Sequence, residues 1–204
     1  IMKILFVKLF RSYTENHIIR EMKNAGHKVI EKAYYTPEDL YKDEALRGKV
    51  YGGIKANDPD MIFTVNYWPI VAEACKDASR RYVSWSYDSP QNLPKTDTMD
   101  YDTNVIYLFD REEVSIYNKR GINTVYHLPL ATVTEEVRLP AGKIPGTYDH
   151  DVTFLGQFYE SILPNLTEIM DPYDRGMIEA YVSSQQKIYG AYILDELINE
   201  ELTD

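Results

Sequence analysis

Short apolar runs rich in β-formers alternate with stretches that carry helix caps, and that alternation restricts the chain to very few folds. Residues 4–10 form a run too continuous for a strand with one wet face; such runs suit a strand buried on both faces of a parallel sheet. Thr14 can cap the next segment, where Ile18, Ile19 and Met22 share a helical face and Gly26 supplies a left-handed stop. Residues 28–33 read as a second strand. Thr36-Pro37-Glu38-Asp39 combines a capping hydroxyl, a first-turn proline and first-turn acids, and predicts a helix ending near Asn57. Residues 61–65, 82–86, 105–109 and 124–128 complete six predicted strands, with a helix from Pro69 to Ala78. A further helix begins at a predicted capping box, Asp110 with Glu113, and stops at Gly121. Strand and helix in this order predict βαβ units and an α/β fold: a Rossmann-like, doubly wound, mainly parallel sheet.

The pattern breaks after Pro129. Residues 138–150 hold two prolines and two glycines and have no period, which marks a linker. The predicted organisation is a Rossmann-like domain over 2–135, a linker over 136–150, and the start of a second, mostly helical domain over 151–204. That second part opens with a strand at 151–155 ending on Gly156. A helical stretch over 172–202 follows, with Ile178, Val182, Tyr189, Ile193 and Leu197 along one face. One strand with helices cannot close a core, so the chain is expected to stop inside this second domain.

Composition excludes several classes. A net charge of -10 repels nucleic acid, and the only basic clusters are the isolated pairs Arg80-Arg81 and Lys119-Arg120. No stretch approaches the roughly 20 apolar residues of a membrane helix, and the opening residues lack a signal-peptide cleavage site, so no membrane span is expected. The lone Cys75 lies on what reads as the buried side of a helix and suits a reducing compartment; the expected location is cytoplasmic. Tyrosine is abundant, with 18 copies against 6 Phe. A tyrosine-rich sheet rim suits polar ligands, although core packing explains most such residues.

In an open α/β sheet, ligands bind beyond the carboxyl ends of the strands, near the point where strand order reverses. The first such loop, residues 8–13, has no glycine, which disfavours a dinucleotide or phosphate loop. Arg11 and Ser12 could still meet an anion at the next helix's N-terminus, or Arg11 is simply solvated. The loop after the fourth strand is the richest. Trp85-Ser86-Tyr87-Asp88-Ser89-Pro90 sets two aromatics, hydroxyls and an acid at a strand end, the combination that stacks on a sugar ring and takes its hydroxyls. Asp88 is the candidate general base if desolvation raises its pKa; alternatively it closes an Asx-turn while the aromatics pack on helices. Asn66 and Tyr67 form a weaker version of the same site, with Asn66 able to bond a ligand or its own loop. Asp110 after the fifth strand is a further candidate. Three Asp-x-Asp triplets occur, but Asp58/Asp60 falls at the wrong end of the sheet, and no metal site is expected. Of the four histidines, His17 alone is placed to reach the cleft.

Residues 59–67, 83–90 and 125–131 together resemble the N-terminal domain of bacterial CgeB-like (spore-maturation-type) glycosyltransferases, with Trp85-Ser86-Tyr87-Asp88-Ser89-Pro90 the most specific part. Residues 151–156 and 185–190 resemble parts of that family's C-terminal domain. The resemblance implies a GT-B architecture: two Rossmann-like domains across a cleft, without a metal. The N-terminal one would hold the acceptor and the C-terminal one a nucleotide-sugar donor. It implies no cofactor beyond that co-substrate. Partners would be the nucleotide-sugar, an unknown acceptor and the chain's own C-terminal domain. Gly156 and Gln157 match the start of the donor-phosphate turn; the remaining donor-binding residues have no counterpart, so this chain is expected to be inactive alone. Two other readings stand beside it: a non-catalytic sugar or peptide recognition module, and a receiver-type regulatory domain. The last expects an acidic cluster where Lys8 and Arg11 stand.

Overall fold

A computed structural model describes residues 1–34, 43–91, 93, 95–133, 152, 154, 156, 161, 163–191 and 193. The chain divides into two compact units, Ile1–Pro140 and Ala141–Asp204.

The first unit is built on six parallel strands: β1 (Lys3–Lys8), β2 (Lys28–Ala33), β3 (Met61–Val65), β4 (Arg81–Ser86), β5 (Asn104–Leu108) and β6 (Val125–His127). Their order in the sheet is β2-β1-β3-β4-β5-β6. The α/β, Rossmann-like parallel sheet expected from the alternation is therefore present. β1 and β3 sit centrally and are buried on both faces, as continuous apolar runs require. β1 stops at Lys8, where its pairing with β2 ends at Ala33, so Leu9 and Phe10 belong to the turn rather than the strand.

Strand order dictates where the helices lie. Right-handed crossovers that step in one direction fall on one face, and a step in the other direction falls on the opposite face. The crossovers through α2 (Glu44–Asn57), α3 (Pro69–Asp77) and α4 (Arg111–Lys119) all step toward β6 and share a face. There Val50, Ile54, Ile70, Val71 and Cys75 close over Leu5, Val7, Ile62, Tyr82, Ile106 and Leu108. Each such aliphatic side chain stabilises the unit by about 1.5–3 kcal/mol. Among the described helices of this unit only α1 (Glu15–Asn24), linking β1 to β2, takes the other face, where Ile19 packs with Ile4, Phe6, Phe63 and Val65. Among the described residues no helix covers that second face over β4, β5 and β6. The strands there alternate accordingly: Val83, Trp85, Val105 and Tyr107 are half-buried and Tyr126 is exposed.

Several caps differ from expectation. Thr14 makes no side-chain cap to α1; its hydroxyl is 2.7 Å from that of Ser12, which accepts from the Thr14 amide at 3.2 Å. The cap expected at Thr36 lies outside the described residues. The described helix starts at Glu44 behind Asp43, whose carboxylate accepts from the Leu46 amide at 3.0 Å. At the amino edge of the sheet, Asp60 accepts from the Lys3 amide at 2.6 Å and Asp58 pairs with Arg80. Those acids are structural.

In the second unit α5 (Leu163–Ile169) and α6 (Pro172–Gln185) are joined by Arg175, whose Nε donates to the Thr167 carbonyl at 2.8 Å. Neither helix has a buried residue. Of the helical stretch expected over 172–202, Pro172–Gln185 is helix, residues 186–191 and 193 are not, and 192 and 194–202 lie outside the described residues. The Gln185 amide there folds back onto the Ile188 and Ala191 carbonyls, and Gly190 takes φ +81°. The linker expected over 136–150 and most of the strand expected over 151–155 lie outside the described residues. No described helix is long and apolar enough to cross a membrane.

Candidate functional site

Strand order reverses between β1 and β3, so the loops after them diverge and leave a crevice at the carboxyl edge. A groove of about 850 Å³ opens from that point along the thinly covered face. Its floor is Val65 at the end of β3 and Trp85 on β4. One wall is the flank of α1, where Tyr13, His17 and Glu21 recur at a spacing of four beside Thr14, Ile18 and Met22. The opposite wall is the stretch Leu130, Ala131, Thr132 and Val133. The Trp85 indole donates to the carbonyl of Leu128, two residues before that stretch, at 3.4 Å. Tyr87 lies at the carboxyl end, its ring centroid 6.1 Å from that of the exposed Tyr13. The volume falls in the range of small-ligand sites, with aromatic walls and a few polar groups.

The electrostatics of the groove follow from burial and near neighbours. Partial burial pushes the Tyr87 phenol up, partly offset by its hydrogen bond with Ser12. The Glu21 carboxyl is held below its usual range, chiefly by its hydrogen bond from Arg20, then by Asn24, with His17 adding a weaker pull. Under the first turn of α1, Glu15 is buried and its carboxyl is raised by that burial, against the pull of Lys8. Lys8 donates to Glu31 at 2.9 Å, which also accepts from Lys23 at 3.0 Å. The cation at the end of β1 is thus committed to an ion pair.

The structure separates the candidates of the β4 loop into two groups. Side chains alternate along a strand, so Trp85 and Tyr87 share the groove face while Asp88 turns away from it. Asp88 is exposed and accepts from the Asn66 amide at 2.6 Å, while Asn66 Oδ1 accepts from the Tyr87 amide at 3.2 Å. Asn66 therefore bonds its neighbouring loop. It does so from a left-handed backbone (φ +59°) that Asn tolerates better than most residues. The burial that would make Asp88 a base is not present among the described residues. Ser89 donates to Asp110 at 3.3 Å and to Glu113 at 3.0 Å. Asp110 caps α4 through the Glu112 and Glu113 amides, as expected. Glu113 does not close a capping box; it accepts from Ser89 and, at 2.7 Å, from the Gln91 amide. Its carboxylate spans to the β4 loop instead of reaching back within its own turn.

Tyr67 is buried in the core and donates to Thr98 at 2.8 Å, which takes its hydroxyl away from the groove. Arg11 is exposed and Ser12 half-buried; neither lines the groove, although Ser12 hydrogen-bonds Tyr87. Gly156 is exposed in the second unit; Gln157 lies outside the described residues. Sequence reasoning placed His17 near the cleft but missed Glu21, one turn on, and the stretch 130–133, which shows no period of its own. Glu113 as a loop anchor was hidden by its fit to a local cap.

No family model matches the chain, and no curated protein does. Among solved structures, it is similar to the crystal structure of Anabaena HepE in complex with UDP-glucose, at 15% identity and a TM-score of 0.45. That match covers 63% of this chain and 44% of HepE. It is also similar to CCPA, a LacI-family transcriptional regulator from Weissella paramesenteroides with bound glucose, at 11% identity and a TM-score of 0.37. That match covers 57% of this chain and 40% of the regulator. The chain thus spans less than half the length of either protein, and likenesses of this size do not say what it binds.

Proposed function

We propose that the Ile1–Pro140 unit is the acceptor-side domain of a GT-B glycosyltransferase of the CgeB-like kind, which transfers a sugar from a nucleotide-sugar to an acceptor. The observation that carries this reading is the groove floored by Trp85 and ended by Tyr87 at the switch point of a parallel sheet. Those two aromatics belong to the stretch on which the sequence resemblance is most specific. An indole face supplies the flat apolar surface against which a sugar ring or an aromatic aglycone packs. Asn66, Asp88, Ser89, Asp110 and Glu113 act as a clip that fixes the β4 loop and so sets the position of Tyr87. In this role Asp88 is a positioning residue.

The donor would be held mainly by a second domain, to which Gly156 and Gln157 contribute the start of a phosphate-facing turn. Calorimetric titration tests the acceptor assignment. The chain is titrated with aryl glycosides and, separately, with UDP-glucose. The proposal expects measurable aryl-glycoside binding that Trp85→Ala removes, with weaker or absent binding of the nucleotide-sugar. Tight nucleotide-sugar binding that survives Trp85→Ala would contradict the acceptor-side role. The recognition-module reading shares the groove and differs in having no proton acceptor within it.

A further inference from the structure

We propose that the acceptor held in this groove is a glycoside with an unbranched, neutral aliphatic chain, its sugar at the carboxyl end and its chain laid along α1. The inference rests on the acceptor-side reading above and adds the class of aglycone. The groove follows α1 from Thr14 to Ala25. At about 1.5 Å per residue that run is about 16 Å long, well beyond the reach of one sugar ring. Its two ends differ in chemistry. Tyr13, Trp85 and Tyr87 stand toward the carboxyl end, where flat rings can pack on a sugar, and no other Phe, Tyr or Trp among the described residues lines the groove. Past them, toward the end of α1, the helix lines it with Ile18, Met22 and Ala25.

Thr14, Ile18, Met22 and Ala25 fall within about 80° of one another around the helix. Ile18 and Met22 pack half-buried on the cluster that also holds Val65 and Trp85, so the bottom of the groove is apolar along the helix. His17, Arg20 and Glu21 lie on the outer side of that stripe and form its lip. Arg20 donates to Glu21 at 3.0 Å, which balances the charge there and suits a neutral occupant. At the far end His27 accepts from the Met2 amide through Nδ1 at 3.3 Å. A second sugar in this half would bury hydroxyls against Ile18 and Met22, which offer them no hydrogen bond. Methylenes have no such bonds to lose and gain by leaving water. Length and lining therefore select a chain over an oligosaccharide.

Calorimetric titration of the full chain with butyl, hexyl and octyl β-D-glucopyranoside, each below its micelle concentration, tests this without requiring turnover. Each methylene buried in an open groove should tighten Kd by about two- to fourfold, so butyl to octyl should gain more than about tenfold. Ala25 is exposed at the end of α1, so Ala25→Phe fills the far half of the groove without disturbing the core. That variant should bind the butyl glycoside as wild type does and lose most of the gain from butyl to octyl. Met22→Gln, as a second variant, should weaken octyl binding more than butyl binding. Far-ultraviolet circular dichroism confirms that each variant is folded. Equal Kd for butyl and octyl, with binding removed by Trp85→Ala, overturns the aliphatic chain and leaves the acceptor-side reading standing. A gain from butyl to octyl that is unchanged in both Ala25→Phe and Met22→Gln puts the chain elsewhere and overturns the inference in the same way. Absence of binding by all three glycosides, or binding unaffected by Trp85→Ala, overturns the groove assignment and the aglycone with it.

Discussion

Replacing Asn66 separates two costs that the structure assigns to one residue. In Asn66→Ala the methyl side chain must occupy a backbone at φ +59°, which costs about 1–2 kcal/mol for a residue without a local hydrogen-bonding group. It also loses the 2.6 Å bond to Asp88 and the 3.2 Å bond from the Tyr87 amide. Each bond contributes about 0.5–1.5 kcal/mol net, with the Asp88 bond at the lower end because that carboxylate is exposed. The sum is about 2–4 kcal/mol. Asn66→Gly loses the same bonds without the strain, but glycine's greater freedom in the unfolded chain adds about 0.4–1 kcal/mol, for a total of about 1.5–3 kcal/mol. Urea denaturation followed by tryptophan fluorescence reads both values. The midpoints should rank wild type, then Asn66→Gly, then Asn66→Ala. A glycine variant no more stable than the alanine variant would refute the strain argument, and two variants equal to wild type would refute the clip.

Glu113→Gln should destabilise by about 1–3 kcal/mol, because it weakens a buried acceptor of two loop bonds; thermal melting with the chain otherwise unchanged reads the loss. Glu15 has its carboxyl raised above its ordinary 4.5 by burial, so the folded state holds that proton more readily than the unfolded one. Its ionisation therefore subtracts stability as pH rises through the folded value, and the loss is absent below the unfolded value. Glu15→Gln should accordingly be more stable than wild type at pH 7 and equal to it below about pH 4, measured by urea midpoints at both pH values. The Cys75 thiol is fully buried and pushed up by that burial, so Ellman's reagent should label it only at the rate of unfolding, with the rate rising in urea.

Much of this fold was legible because its strands are short apolar runs with clear ends. The pattern places β2 and β3 at Lys28–Ala33 and Met61–Val65, where the structure has them. The end of β1 was not legible, since Leu9 and Phe10 are as apolar as the strand and only the register with β2 stops it. The groove was half legible. Alternation along β4 could have parted Trp85 and Tyr87 from Asp88, but composition grouped all three. Glu113 was misplaced for a different reason: an acid three residues after a capping Asp satisfies a local rule, whereas Ser89 and Gln91 are more than 20 positions away. The i, i+4 stripe of Tyr13, His17 and Glu21 was overshadowed by Ile18, Ile19 and Met22, which mark the same helix's apolar side.

The central claim is that ligand enters on the α1 side, over Trp85, and the chain's 2 tryptophans provide a direct test. The Trp85 indole lies on the groove floor, while the Trp68 indole donates to the Val65 carbonyl at 2.9 Å, and Trp68 is not among the groove's lining residues. In a proton–nitrogen correlation spectrum of the labelled chain, titration with 4-nitrophenyl β-D-glucopyranoside should shift the Trp85 indole signal and leave that of Trp68 in place. A shift confined to Trp68, or none at either indole while binding is saturated, would contradict the account.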